Sequence, residues 1–189
     1  MEEIRIHGRG GQGGVIASKI LAVAMFAEGN EVQAFPKFGV ERRGAPIEAF
    51  LRMAQEKILI RSEIDTPDHL LVLDETLLDL IDITSGLAEQ GWFLINTINP
   101  PQFYQNLKKY RVATVDAGGI AVKHELGTKS APVVNTAICG AFARCSGLVG
   151  LESVCQAIQE EVPVLADKNV LAAREAYELT QWWEISRAG

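Results

Sequence analysis

The chain has 189 residues, a formal net charge of −6 at neutral pH and 48% hydrophobic residues. That length suits one domain, residues 1–189, and the apolar share is enough to bury a core, which excludes intrinsic disorder. The acidic balance argues against nonspecific binding to nucleic acid or anionic lipid, which needs a basic patch. No basic-then-apolar leader opens the sequence and no apolar run approaches the ~20 residues of a membrane span, so a cytoplasmic location without membrane contact is expected.

In chain order, Glu3 to His7 reads as a strand, Gly8 to Gly14 as a loop, and Val15 to Ala27 as a helix, because Val15, Ile16, Ile20, Leu21, Ala24 and Met25 recur at helical spacing. Gly29 and Asn30 stop that helix, and Glu31 to Phe35 reads as a second strand that completes a first βαβ unit. Pro36 to Pro46 is a loop rich in Gly, Pro and Arg. Ile47 to Met53 and Lys57 to Arg61 follow, separated by the short polar turn Ala54 to Glu56, and together read as a β-hairpin. The run His69 to Asp74 has the unbroken apolar character of a strand buried on both faces, with Asp74 near the carboxyl edge of the sheet.

Thr76 to Leu87 is expected as a helix, Trp92 to Asn96 as a strand, Gln102 to Lys108 as a helix opened by Pro100 and Pro101, and Arg111 to Asp116 as a strand. Three helices complete the pattern, over Val133 to Cys145, Leu151 to Glu161 and Ala166 to Trp183. Alternating strands and helices with no repeat or linker give the expected class: α/β, a single Rossmann-like doubly wound domain with a mainly parallel sheet, a β-hairpin and a C-terminal helical cluster over one face.

Cys139, Cys145 and Cys155 are spaced C-x5-C-x9-C, which matches neither a zinc pair nor the tight cysteine run of a bacterial ferredoxin, so no metal or iron–sulfur site is expected in this chain. Cys139 and Cys145 lie in an apolar stretch and read as small core hydrophobes. His7, His69 and His124 have no partner constellation and read as structural. No residue is assigned a catalytic role.

Gly8-Arg9-Gly10-Gly11-Gln12-Gly13-Gly14 satisfies G-x-G-x-x-G between a strand and a helix. Glycines let the backbone approach a ligand closely, and the N–H groups at a helix N-terminus attract a pyrophosphate. Arg9 and Gln12 are further donors. Five glycines in seven residues also suit close contact with another chain, and both readings stand at this point. A nicotinamide or flavin site expects a carboxylate at the tip of the second strand; that strand ends in Phe35-Pro36, and Glu31 is too early. In the loop Phe35 to Pro46, Arg42 and Arg43 either clamp a phosphate or carboxylate, or pair with Glu41 and Glu48 or face solvent, and Phe38 with these arginines suits a buried interface cluster.

The stretches IHGRGGQGGVIAS, QAFPKFGVERRGAPIEAFLR and PVVNTAICGAFAR, in this order, resemble the gamma subunits of four-subunit pyruvate:ferredoxin oxidoreductases and their 2-oxoisovalerate relatives, over nearly the whole chain. GRGGQG alone is shared with the 2-oxoglutarate and indolepyruvate branches; FGVERRGAP points to the pyruvate branch. The resemblance implies a hetero-oligomer with alpha, beta and delta subunits that oxidatively decarboxylates a 2-oxoacid, transfers the acyl group to coenzyme A and reduces ferredoxin. Thiamine diphosphate, magnesium and 4Fe–4S clusters then belong to the partner subunits, and coenzyme A is a co-substrate. It further implies Gly8, Gly10, Gly11, Gln12 and Gly13 as coenzyme A contacts and marks Asn135 as a recurring family position, a candidate contact whose side chain either bridges to the glycine loop or only caps its helix; Arg9 joins these contacts as a donor of the motif, and Phe38, Arg42 and Arg43 are interface candidates on composition. The alternatives are a purely structural scaffold subunit, or the gamma subunit of a 2-oxoisovalerate or 2-oxoglutarate enzyme. An independent nucleotide-dependent oxidoreductase is opposed by the missing acidic residue.

Overall fold

In the computed structural model, which describes residues 1–37, 44–89 and 91–183, the chain starts with β1 (Glu2–Arg9), burying Ile4 and Ile6 on one face and Arg5 and His7 on the other. The glycine loop then leads into α1 (Gly14–Ala27), whose Ala17, Ile20, Leu21, Ala24 and Met25 are fully buried. Asn30 ends this helix by donating from its side chain to the Met25 carbonyl at 3.0 Å, satisfying an acceptor that the last turn leaves open.

There follow β2 (Glu31–Pro36), β3 (Pro46–Ala54), β4 (His69–Val72), β5 (Trp92–Asn96) and β6 (Arg111–Val115), then α2 (Ala117–Lys123) and the short pair β7 (Gly127–Thr128) and β8 (Ala131–Pro132). Three helices, α3 (Asn135–Ser146), α4 (Leu151–Glu161) and α5 (Ala166–Leu179), precede β9 (Gln181–Trp183). The main sheet has the order β2-β3-β1-β4-β5-β6-β9. Strands β1, β4, β5 and β6 are mutually parallel, β3 is antiparallel to both β1 and β2, and β9 is antiparallel to β6. The α/β class, the mainly parallel direction and the C-terminal helices agree with the reading of the sequence.

Several local expectations are corrected. The second strand does not lie beside the first, because β3 is inserted between them. The hairpin is β2 with β3; Lys57 to Arg61 forms no strand, and Leu59 and Ile60 are exposed. The physical reason is that β3 already has a partner on each edge, so no ladder remains for 57–61. In place of a helix over 76–87 there is a 3-10 turn, Glu75–Asp79, followed by turns. Asp82 accepts from the Thr84 hydroxyl, local bonding that competes with a helix, and Gly86 sits at φ +76, where a Cβ would lie 2.0 Å from the Asp65 carbonyl oxygen. The helix over 102–108 is likewise a 3-10 segment, Pro101–Leu107, interrupted at Tyr104. The Tyr104 hydroxyl is held by Glu75 at 2.8 Å and Thr97 at 3.0 Å. The last helix stops at Leu179, and Gln181 to Trp183 turns back to pair with β6. Helix α2 carried no sequence signal that was recognised; Asp116 caps it by accepting from Gly119 N–H at 2.7 Å.

The core divides at the sheet. Ile6, Leu71, Leu94 and Val115 face α1, α3, α4 and α5 through residues such as Leu21, Ile138, Phe142 and Ile158. Leu70, Val72, Phe93 and Val112 face the 3-10 segments through Leu77, Tyr104, Leu107 and Tyr110. Among the described residues no helix is long and apolar enough to cross a membrane.

Candidate functional site: the glycine loop at the carboxyl edge of the sheet

From β1 the chain passes to β2 and β3 on one side of the sheet and then to β4 on the other. Such a reversal leaves a crevice at the carboxyl ends of the strands, where α/β folds take ligands. The glycine loop occupies it. Gly11 and Gly13 adopt φ of +98 and +81, a region that glycine enters without steric penalty. Gly13 is the N-cap of α1 and brings no side chain to the helix N–H groups. Among the described residues, no acceptor meets the N–H groups of Gly11, Gly13 and Gly14; Gly11 is exposed, Gly13 half-buried and Gly14 buried, at the positive end of the α1 dipole, which favours an anion.

The two special glycines differ. A Cβ at Gly11 would have no heavy atom within 4 Å, whereas one at Gly13 would lie 2.6 Å from Asn135 Nδ2. Gly13 is therefore required for close packing of the loop on the buried Asn135 side chain, and Gly11 faces open space. Asn135 begins α3, and its Oδ1 accepts from Thr136 N–H at 2.8 Å. On the other side the loop bonds to the segment before β3: Gly10 N–H donates to the Ala45 carbonyl at 2.9 Å and Gly44 N–H to the Gly10 carbonyl at 3.0 Å.

Arg9 and Gln12 are turned inward onto Asp74. Arg9 Nε donates to Asp74 Oδ2 at 2.9 Å, and the two terminal nitrogens donate to the Gly44 carbonyl at 3.0 Å and to Thr76 Oγ1 at 2.8 Å. Gln12 Nε2 donates to the same Asp74 oxygen at 3.1 Å, while Gln12 Oε1 accepts from Arg9 N–H at 2.7 Å. Thr76 gives Asp74 Oδ1 both its N–H and its hydroxyl. Burial alone would raise the Asp74 carboxyl, but the bonds from Thr76, Gln12 and Arg9 outweigh it and hold the group below its ordinary value. The sequence placed Asp74 near this edge; its bonding to Arg9 and Gln12 had no sequence signal, since the partners are more than 60 residues apart.

Phe38, Arg42 and Arg43 lie outside the described residues. Glu48, weighed as a partner for those arginines, is paired with Lys37 at 3.2 Å. The tip of β2, where a dinucleotide fold places its ribose-binding carboxylate, is separated from β1 by β3. All three histidines are tied into the fold: His7 accepts from Arg5 Nε at 3.0 Å, His69 meets Glu2 at 3.1 Å and His124 meets Glu175 at 2.7 Å. The three cysteines are free and buried. Burial raises every one of these thiols, Cys145 to about 12. Among the described residues, no group of three or more His, Cys, Asp or Glu is arranged to hold a metal ion.

Residues 3–179 match the family model described as pyruvate ferredoxin/flavodoxin oxidoreductase. The chain belongs to this family, as a gamma-type subunit. It is 49% identical over 189 residues to the pyruvate/ketoisovalerate oxidoreductases common subunit gamma of Pyrococcus abyssi, covering 98% of this chain and 100% of that one. It is 49% identical over 179 residues to the pyruvate synthase subunit PorC of Methanothermobacter marburgensis, covering 94% and 97% of the two chains. The crystal structure of the pyruvate oxidoreductase subunit PORC from Thermotoga maritima superposes with a TM-score of 0.81 at 36% identity, over 97% of this chain and 98% of that one. A 2-oxoglutarate:ferredoxin oxidoreductase from Magnetococcus marinus, with 2-oxoglutarate, coenzyme A and succinyl-CoA bound, shares the fold at a TM-score of 0.69 and 17% identity, over 94% of this chain and 30% of that one. In this gamma-type chain the described parts of the three resembling stretches converge on one place: Gly10 bonds to Ala45, and Gly13 packs on Asn135.

Proposed function

We propose that this chain is the gamma subunit of a multi-subunit pyruvate:ferredoxin oxidoreductase, one domain over residues 1–189, and that its glycine loop forms part of the coenzyme A site. The observation that carries the coenzyme A role is the set of unpaired N–H groups at Gly11, Gly13 and Gly14 on the N-terminus of α1, at the carboxyl end of β1. A diphosphate fits those donors. Bound coenzyme A supplies the thiol that accepts the acyl group. The residues of this chain bind and orient its phosphates: Gly11 leaves space for the approach, Gly13 lets the loop close on Asn135, and Arg9 and Gln12 keep the loop in shape. Thiamine diphosphate, magnesium and 4Fe–4S clusters are assigned to partner subunits, with ferredoxin as acceptor. Phe38, Arg42 and Arg43 are assigned to a subunit interface on their composition.

The test replaces Gly11, where a side chain meets no neighbour, in the assembled complex. Gly11→Asp and Gly11→Asn impose the same backbone strain and nearly the same bulk, and only the first adds a negative charge. The expected result is a KM for coenzyme A raised about tenfold more by Asp than by Asn, equivalent to about 1.4 kcal/mol, with the KM for the 2-oxoacid little changed. Equal effects on both substrates, or none on coenzyme A, would favour the scaffold reading, in which the loop touches protein alone.

A further inference from the structure

We infer that Asp74, outside the glycine motif, is a positioning residue for coenzyme A: it clasps the glycine loop through Arg9 and Gln12 and keeps the Arg9 guanidinium away from the ligand. This rests on the proposed coenzyme A role of the loop. Asp74 follows β4, the strand hydrogen-bonded to β1, so its backbone position is set by the sheet and not by the loop it holds. Its two oxygens divide the work. Oδ1 takes both donors of Thr76, and Oδ2 takes Arg9 Nε and Gln12 Nε2.

Four donors on two oxygens require a carboxylate. An amide presents one acceptor and one donor, so Asp74→Asn turns an N–H toward either the Thr76 pair or the Arg9 and Gln12 pair. The consequence runs through Gln12, whose other end accepts from Arg9 N–H at 2.7 Å and thereby closes the turn in which Gly10 and Gly11 sit. Arg9 carries the clasp onward to the Gly44 carbonyl, so one guanidinium joins the glycine loop, the end of β4 and the chain entering β3. Its fork is occupied in all three directions, an arrangement suited to holding segments together and not to reaching a phosphate.

If Asp74 positions the loop, Asp74→Asn raises the KM for coenzyme A, by about tenfold, as does Arg9→Gln, and the double variant is no worse than either single one because both break the same clasp. The kcat at saturating coenzyme A and the KM for the 2-oxoacid change by less than about twofold. Amide hydrogen exchange of residues 8–14 in the assembled complex speeds up in both variants. If Arg9 instead met the phosphate itself, removing its counter-charge would lower the KM for coenzyme A in Asp74→Asn while Arg9→Gln raised it, and that opposite pair of signs overturns the inference. Unchanged exchange also overturns it. Faster exchange with an unchanged KM for coenzyme A would instead remove the reading on which the inference rests. Should Asp74→Asn fail to assemble, Thr76→Val serves, since the Thr76 hydroxyl donates to Asp74 and accepts from Arg9; a smaller shift of the same sign in exchange and KM is expected, and no shift overturns the clasp.

Discussion

Arg5 and His7 sit side by side on β1, on the sheet face away from the helices, and both are buried. Arg5 donates to His7 Nε2 and to the carbonyls of Ile83 and Ser85, at 3.0 and 2.7 Å. Because Nε2 accepts, the neutral ring carries its proton on Nδ1, a buried polar atom that finds no partner among the described residues. Burial, reinforced by the positive charges of Arg5 and Lys37, pushes the His7 imidazole down from its ordinary 6.5 to about 3. The unfolded chain takes up a proton at His7 as the pH falls below about 6.5, while the folded chain does so near 3. The contribution is therefore intact at neutral pH and is lost as the pH falls through that window, at up to about 1.4 kcal/mol per pH unit. His7→Gln keeps an oxygen for Arg5 and removes the titration. Urea unfolding at pH 7, 6 and 5 is expected to show a shallower loss of stability in the variant; equal slopes would mean that His7 takes up its proton alike in the folded and unfolded chain. The side chain of Arg52, 1% exposed on β3, is satisfied by the Glu3 carboxylate at 2.6 Å, Gln33 at 2.8 Å and the Glu63 carbonyl.

At the scale of elements, the pairing of α3 with α5 is set by Gly140. A Cβ there would lie 2.0 Å from the Ala173 carbonyl oxygen and 2.9 Å from its Cα, all backbone that cannot swing aside. Gly140→Ala therefore separates two helices that carry Ile138, Phe142, Ala172 and Ala176 in the core. A loss of about 1–3 kcal/mol or more is expected, read as a lower thermal midpoint; an unchanged midpoint would show that α5 slides freely. The apolar rhythm made α1, α3, α4 and the strands β1, β4, β5 and β6 legible, because each is held by burial that its own periodicity records. The elements misread are those whose state depends on a distant partner. Trp182 and Trp183 continue the apolar pattern of α5, yet they leave the helix to pair with Val112 and Ala113 on β6, and Arg144 stacks on the rings of Tyr177 and Trp182. Lys57 to Arg61 holds the short apolar run Ile58-Leu59-Ile60, but β3, the partner expected for it, is already paired on both edges. The same division holds in the site. Its glycines could be read because their local geometry demands glycine, and Asp74 could not be assigned its bonds because they run across β1 to β4.

At the scale of the molecule, the chain leaves Ile16, Val133, Val164 and Leu165 exposed around an apolar cleft of about 290 Å3 beside Asn135. Relatives of nearly its full length are named as gamma or PorC subunits, and a chain of this kind works within an assembly. Its own groups are poorly suited to redox chemistry alone. The thiols of Cys139, Cys145 and Cys155 are buried, and burial holds them in the protonated form that is neither a nucleophile nor a ligand. The candidate site offers backbone N–H groups and a neutralised Arg9–Asp74 pair, groups that carry no electrons. Purified by itself, the chain is accordingly expected to show no 2-oxoacid-dependent reduction of ferredoxin or of a viologen dye, and co-expression with the partner subunits proposed to hold thiamine diphosphate and the clusters is expected to restore it. Gel filtration of the co-expressed material should place this chain in the active fraction. Turnover by the isolated chain, shown free of other subunits, would overturn the division of labour proposed for it, since the electrons would then need a carrier that the described residues do not provide.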